Sequence, residues 1–356
     1  MKASLVCAIA GTTVLAGAIA AATAAAPITR NNPLRVSMYA ADGAVEVILT
    51  NTSNKIARVP RYQLPVGGLE AKLFQVSRDG LPVAYEGPMI KRGLPTASEF
   101  AILQPGQSLR SVVQLADAYD MRKGGTYTIT LASPLQHASL SDGSMLKNNR
   151  GLPLTLQSAP LRMFSAGKLP ALKRPPSGGG GTVVNGVSYV GCDSTQISSA
   201  GQAVINARGY SENAKGYLAG NNGNGARYTT WFGAYTAQRY GTVGQNFVAI
   251  DSAMDQSGGQ VTINCGCKQS YYAYVYPTQP YQIYVCNAFW TAPATGTDSK
   301  AGTLVHEMSH FNVVAATDDH VYGQTGAKSL AISDPTRAVD NADSHEYFAE
   351  NTPNQN

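Results

Sequence analysis

Charge is scarce in this chain: 14% of its 356 residues are Asp, Glu, Lys or Arg, against 44% hydrophobic residues. That balance excludes a disordered polyelectrolyte and leaves ample material for a core, at a length of about two typical domains. Long apolar runs are scarcer still. The one such stretch opens the chain, MKASLVCAIAGTTVLAGAIAAATAAAP, and no later segment is apolar enough to compete with it as a membrane span. Lys2, the interrupted apolar run and the small residues in Ala-x-Ala register before Pro27 read as a secretory signal peptide over residues 1–26. A soluble, secreted, extracellular protein is expected, with no membrane partner after signal removal. Nucleic acid is not an expected partner either, because there is no phosphate loop and the second half has no basic nucleic-acid motif.

Cysteine is also rare, with five in all. Cys7 belongs to the signal and lies too early in it for a lipoprotein anchor. Cys192, Cys265, Cys267 and Cys286 remain, an even count that favours disulfides in an exported chain. A Cys265–Cys267 bridge is the least plausible pairing, because one intervening residue strains the geometry. Cys192 and Cys286 are then partners of that pair, in either order. A zinc site on these four lacks the usual C-x2-4-C spacing.

Near the middle, KRPPSGGGGTVVNG (173–186) combines a basic pair, two prolines and four glycines, as a flexible, protease-sensitive linker does. Charge divides there too. Residues 1–181 carry 19 Lys and Arg against 9 Asp and Glu, whereas residues 182–356 carry 8 against 13, so the halves could attract one another. Residues 27–172 read as β, with short alternating runs such as RVSMYAADGAVEVILTNTS and GGTYTITLAS between turns, and suggest a small antiparallel sandwich. Nothing there looks catalytic. Residues 187–356 carry helical spacing in STQISSAGQAVINARGYSENAKGYLAG and RYTTWFGAYTAQRYGTVGQNFVAIDSAM. QSYYAYVYPTQPYQIYVCNAFW then reads as two strands about a Pro-containing turn, DSKAGTLVHEMSHF as a helix capped by Asp298 or Ser299, and the end as one or two more helices. The expected class is α+β, a mainly helical domain with a small antiparallel sheet behind an all-β, sandwich-like one.

Histidine is the rarest resource in the first half, which holds His137 alone; the other four fall in the last 51 residues. Two of them form HExxH. His306 and His310 at i and i+4 lie one above the other on a helix face and aim two imidazoles at one cation, while Glu307 is close enough to take a proton from an attacking water. A catalytic zinc wants a third protein ligand. The metzincin pattern is excluded, because Val313 and Ala316 stand where it needs Gly and His. A gluzincin arrangement would take Glu346 or Glu350. Asp318, Asp319 and His320 are nearer in sequence, but along a continued helix Asp319 would stand about 13.5 Å from His310 at 1.5 Å per residue. The chain must therefore turn back after about residue 312 for any of the three to bind, and spacing does not choose among them.

The string GTLVHEMSHF followed by TDDHVYG resembles the aspzincin pattern, HExxH followed by GTxDxxYG. RYTTWFGAY, YAYVYP, CNAFWTAPATGTDSKAGTLVHE, GAKSLAISDP and NADSHEYFAEN resemble the peptidyl-Lys metalloendopeptidases of the deuterolysin family, across nearly all of 187–356. The first half resembles their pro-regions more loosely. The resemblance implies a zincin-type fold, one catalytic Zn2+ on His306, His310 and Asp319, Glu307 as general base, and Tyr322 as the phenol that hydrogen-bonds the oxyanion. It further implies that Asp343 and Glu346 receive a substrate lysine, and that the disulfides are Cys192–Cys265 and Cys267–Cys286. Ala316 departs from the family's glycine.

The chain is therefore expected to be a secreted zinc endopeptidase that cuts protein or peptide substrates on the amino side of lysine. It would be a monomer, made as a precursor whose basic pro-domain is an intramolecular inhibitor removed at or near the linker, by self-cleavage at Lys173 or Lys168 or by a host protease at the Lys173–Arg174 pair. An extended substrate could add to the sheet edge along YAYVYP. A deuterolysin-like protease of broader specificity is one alternative. An exported adhesin with a structural C-terminal domain is the other.

Overall fold

The computed structural model describes residues 32–41, 43–167 and 181–356. The signal-peptide stretch and the candidate cleavage lysines Lys168 and Lys173 lie outside those residues. Among the described residues, no helix is long and apolar enough to cross a membrane.

The first half is antiparallel β. Strands Leu34–Ala41 and Ala44–Asn51 form a hairpin, with Val36, Met38, Val47 and Leu49 facing inward at the period of two that the sequence carries. Strand Gly125–Pro134 buries Tyr127, Ile129 and Leu131 in the same alternation and pairs with Phe74–Arg78, Thr155–Gln157 and Leu161–Ser165. The strands fall into three short sheets, a more divided arrangement than a plain sandwich.

The second half is mainly helical: α1 Ser194–Ala219, α2 Ala226–Phe232, α3 Ala237–Met254, α4 Asn287–Thr291, α5 Lys300–Ser309, α6 Gly323–Ser333, α7 Pro335–Val339 and α8 Ala342–Glu350. Helix α1 starts in a capping box between Asp193 and Gln196. It buries Ala200, Ala203, Val204, Ala207, Ala214 and Leu218, small residues that let α3 and α5 pack closely against it. The stretch from 226 to 254 is two helices, because Gly233 adopts φ +79 between them and α2 stops there.

Its sheet runs in the order Thr182–Val184, Val187–Val190, Thr262–Asn264, Gln282–Val285, Ala273–Val275 and Met89–Lys91. The expectation of an antiparallel sheet needs correction. The three central strands, Val187–Val190, Thr262–Asn264 and Gln282–Val285, run parallel, because the α1–α3 crossover and then the segment 265–281, which includes the edge strand Ala273–Val275, each return the chain to the same end of the sheet, and only the outer strands are antiparallel. The last strand comes from the first half. Met89–Lys91 pairs antiparallel with the edge strand Ala273–Val275, which lies within YAYVYP. Disulfides Cys192–Cys265 and Cys267–Cys286 tie the ends of these strands together.

Candidate active site

Helix α5 begins at Ser299, whose Oγ accepts the Gly302 N–H at 2.9 Å, and every residue from Ala301 to Ser309 is buried. A Cβ at Gly302 would stand 2.1 Å from Glu350 Oε1, so the Glu350 side chain could not keep its place on Ser299. One turn apart on α5, His306 and His310 bring their Nε2 atoms to 3.2 Å. The helix ends at His310. The chain then folds back through Val314 N–H to Phe311 O (2.8 Å) and Thr317 N–H to Ser309 O (3.1 Å). Ala316 takes φ +52, so it occupies the left-handed position that favours glycine.

That reversal turns Asp319 inward. Its Oδ1 lies 3.3 Å from His306 Nε2 and 3.4 Å from His310 Nε2. Neighbours Asp318 and His320 face away, Asp318 to Lys72 at 2.5 Å and His320 to Asp340 at 2.9 Å and Arg337 at 3.1 Å. With zinc bonds of about 2.0–2.1 Å to N and O, ligand atoms in a tetrahedron stand roughly 3.3–3.4 Å apart. The three donor atoms therefore fit one zinc ion. Two further observations agree: neither Asp319 oxygen has a hydrogen-bond partner, and two imidazole nitrogens at 3.2 Å repel without a shared cation or proton. Glu350 instead accepts the Ser299 N–H and hydroxyl at 2.9 and 2.8 Å, and so takes no part in this cluster.

The surrounding groups orient the rings. Thr317 O accepts from His310 Nδ1 at 2.7 Å, leaving Nε2 as the lone-pair donor. His306 Nδ1 lies 2.9 Å from Asp343 Oδ1 and 3.2 Å from Glu346 Oε2, though it forms a well-aligned hydrogen bond with neither. Asn341 Oδ1 accepts the N–H groups of His320 and Val321 at 3.0 and 3.1 Å, stitching the Asp319 loop to the start of α8. Burial pushes the Asp319 carboxyl up, but the His310 and His306 rings outweigh it and hold it well below the usual carboxylate range. Burial raises Glu307 to about 7, and both of its oxygens are without a partner. Burial also holds the Tyr322 phenol well above its ordinary value, so it remains a donor.

The first half enters this site. Tyr322 donates its hydroxyl hydrogen to Ile90 O at 2.9 Å, and its own N–H is bound by Gln136 Oε1 at 2.8 Å. The residue after Ile90, Lys91, is 1% exposed. Its Nζ stands 2.6 Å from Glu346 Oε2, 3.5 Å from Asp298 Oδ1 and 3.8 Å from Asp343 Oδ1, beneath the rings of Tyr272 and Tyr347. Glu346 is thus the direct partner. Asp343 is nearer to His306 and also accepts the Gly323 N–H at 2.6 Å. Asp298, held by the Tyr347 hydroxyl at 2.7 Å, joins the pocket although the sequence marks it only as a helix cap. Lys91 carries no local signal that separates it from the other lysines of a basic half.

Known proteins resemble this chain over most of its length. The model of the aspzincin family, described as lysine-specific metallo-endopeptidase, matches residues 217–350. An extracellular protease of Aeromonas hydrophila is 44% identical over 343 residues, covering 96% of this chain and 97% of that one. The chain belongs to the aspzincin family. It is accordingly a zinc metalloendopeptidase, which sets aside the reading as an adhesin. A peptidyl-Lys metalloendopeptidase of Grifola frondosa is 38% identical to this aspzincin over 257 residues, covering 72% of this chain and 70% of that one. A solved zinc peptidase from Grifola frondosa aligns with a TM-score of 0.44 at 44% identity, over 46% of this chain and all of that chain.

Proposed function

We propose that this aspzincin cuts proteins on the amino side of lysine and is exported as a precursor whose first half covers its cleft. The observation that carries the reading is Lys91. A lysine from the enzyme's own chain, on a strand added to the edge of the sheet, puts its ammonium among Glu346, Asp298 and Asp343 while the preceding carbonyl meets Tyr322. Burying an ammonium is costly unless carboxylates compensate, so the pocket selects a cation of lysine's reach.

His306, His310 and Asp319 would hold the zinc ion, which when bound supplies Lewis acidity to the substrate carbonyl and makes water a better nucleophile. Glu307, raised toward neutrality, takes the proton from the attacking water and returns it to the leaving amine. Tyr322 donates to the oxygen that becomes negative. Asp343 places negative charge beside His306 Nδ1 and in the lysine pocket; Glu346 makes the ion pair.

The export signal over residues 1–26 supports secretion. Inhibition by the first half is supported by the same strand, by Lys72 on Asp318, and by Arg92, whose guanidinium lies 4.9 Å from the Tyr271 ring. Protein substrates are expected, and one chain contains the complete site. Digestion of a peptide library by the mature form tests the reading. Lysine should be enriched at P1', the residue after the cut. A flat P1' profile with retained proteolysis would replace it by the broader, deuterolysin-like specificity.

A further inference from the structure

The first half lies in the cleft in the register of a substrate. Met89, Ile90 and Lys91 pair with Val275, Tyr274 and Ala273, and the Tyr272 N–H donates to Lys91 O at 3.0 Å. Ile90 O accepts from Tyr322, the proposed oxyanion donor, and Lys91 fills the lysine pocket. The bond between them is therefore an Xaa-Lys bond presented where Xaa-Lys bonds are cut. A cavity of about 440 Å3, lined by Met89, Ile90, Asp319 and Tyr322 among others, adjoins Ile90.

We propose that Ile90–Lys91 is itself a processing site, hydrolysed within its own chain before any cut in the linker. The inference rests on the lysine-directed specificity proposed for this site. A cleft holds one chain at a time, so while Lys91 is seated no linker lysine of the same molecule can enter. The step is a hydrolysis: a water oxygen joins the Ile90 carbonyl carbon, the Ile90 C to Lys91 N bond breaks, and a water proton passes through Glu307 to the Lys91 nitrogen. Once the bond is broken, the strand ending at Ile90 is no longer tethered to the seated Lys91 and can leave the cleft. The linker can be cut next.

Intact-mass analysis of the full-length precursor after zinc addition tests the order. Fragments ending at Ile90 and starting at Lys91 should appear first, at a rate unchanged when the protein is diluted, with Glu307→Ala as the uncut control. Linker fragments appearing first, with Ile90–Lys91 intact, would overturn the proposal, as would a rate proportional to concentration. Lys91→Arg, which preserves the charge, should slow the first cut by about tenfold or more, since the pocket is built for an ammonium. A second readout needs no catalysis. In the metal-free Glu307→Ala precursor, buried Lys91 should react with an amine reagent about tenfold more slowly than half-exposed Lys55; equal labelling would mean that Lys91 is not seated. If the peptide library gives lysine at P1' but Ile90–Lys91 survives, only this inference fails. If the library gives no lysine, the reading beneath it fails.

Discussion

The two halves bury different things. Among the described residues of the first half, the core is almost entirely apolar, and the only buried side chains of the Asp, Glu, Lys, Arg and His types are Lys91 and Arg92. The second half buries His306, Glu307, His310, Asp343, His345 and Glu346, among others. Charge is costly away from water, so it stays buried where partners or function compensate. The first half's two buried cations are compensated differently: Lys91 reaches carboxylates of the second half, whereas Arg92 pairs with Glu70 of its own half at 2.8 Å and lies against the rings of Tyr62 and Tyr271. A β scaffold with an almost wholly apolar core thus lends one buried charge, Lys91, to the carboxylates of its neighbour.

The strongest break in that contrast is Glu307→Gln, which keeps the shape and removes the proposed base. Turnover of a lysine peptide by the mature enzyme should fall by about a thousandfold or more, and chelation should abolish it until zinc is restored. Glu346→Gln comes next. Losing one partner of a buried charge pair costs about 2–5 kcal/mol, so kcat/KM for lysine over alanine at P1' should drop by roughly a hundredfold, with a smaller drop for Asp298→Asn. If Asp298→Asn has the larger effect, Glu346 is not the direct partner.

Stability should divide in the same way. His345 is fully buried against Phe232 and Phe247, with Nδ1 on Asn341 O at 3.0 Å and Nε2 on Asn246 at 3.0 Å, and burial lowers it to about 4. Its unfolded value is near 6.5, so the fold favours the neutral ring. The stability from this preference is present above pH 6.5 and is lost as pH falls toward 4, on the order of 3 kcal/mol. In the mature form, His345→Gln should flatten the loss of Tm between pH 6.5 and 4; an unchanged slope would assign acid sensitivity elsewhere. Ala316→Gly should stabilise by about 1 kcal/mol, because the alanine adopts φ +52. The smallest effect is expected from Lys72→Ala. This half-exposed pair with Asp318 is worth about 0.5 kcal/mol, so processing should quicken only slightly.

Much of the second half was legible because its signals are local. Helices α1 and α5 follow apolar spacing and caps that lie within the segments themselves. The strands around YAYVYP were also readable, but not the parallel order of the central sheet, since pairing partners stand far apart in sequence. Ala316 departs from the family's glycine in sequence, yet in the fold it holds a left-handed turn. The role of Lys91 had no sequence signal, because a three-residue strand acquires its meaning only from the edge it joins.

What the sequence by itself determined is the part set by the helix period: His306, Glu307 and His310 share a face and a reach because 3.6 residues make a turn wherever the helix lies. The disulfide cysteines, the charge contrast and the family pattern were likewise readable without coordinates. Spacing left Asp318, Asp319 and His320 open and the family pattern named Asp319; tertiary structure shows it meeting both imidazoles, and alone decided that Asp298 joins Glu346 and that residue 91 reaches residue 346. Those contacts join segments that no local period relates. Packing of α5 against α8, and of one half's strand on the other's sheet edge, brings them within a few ångströms.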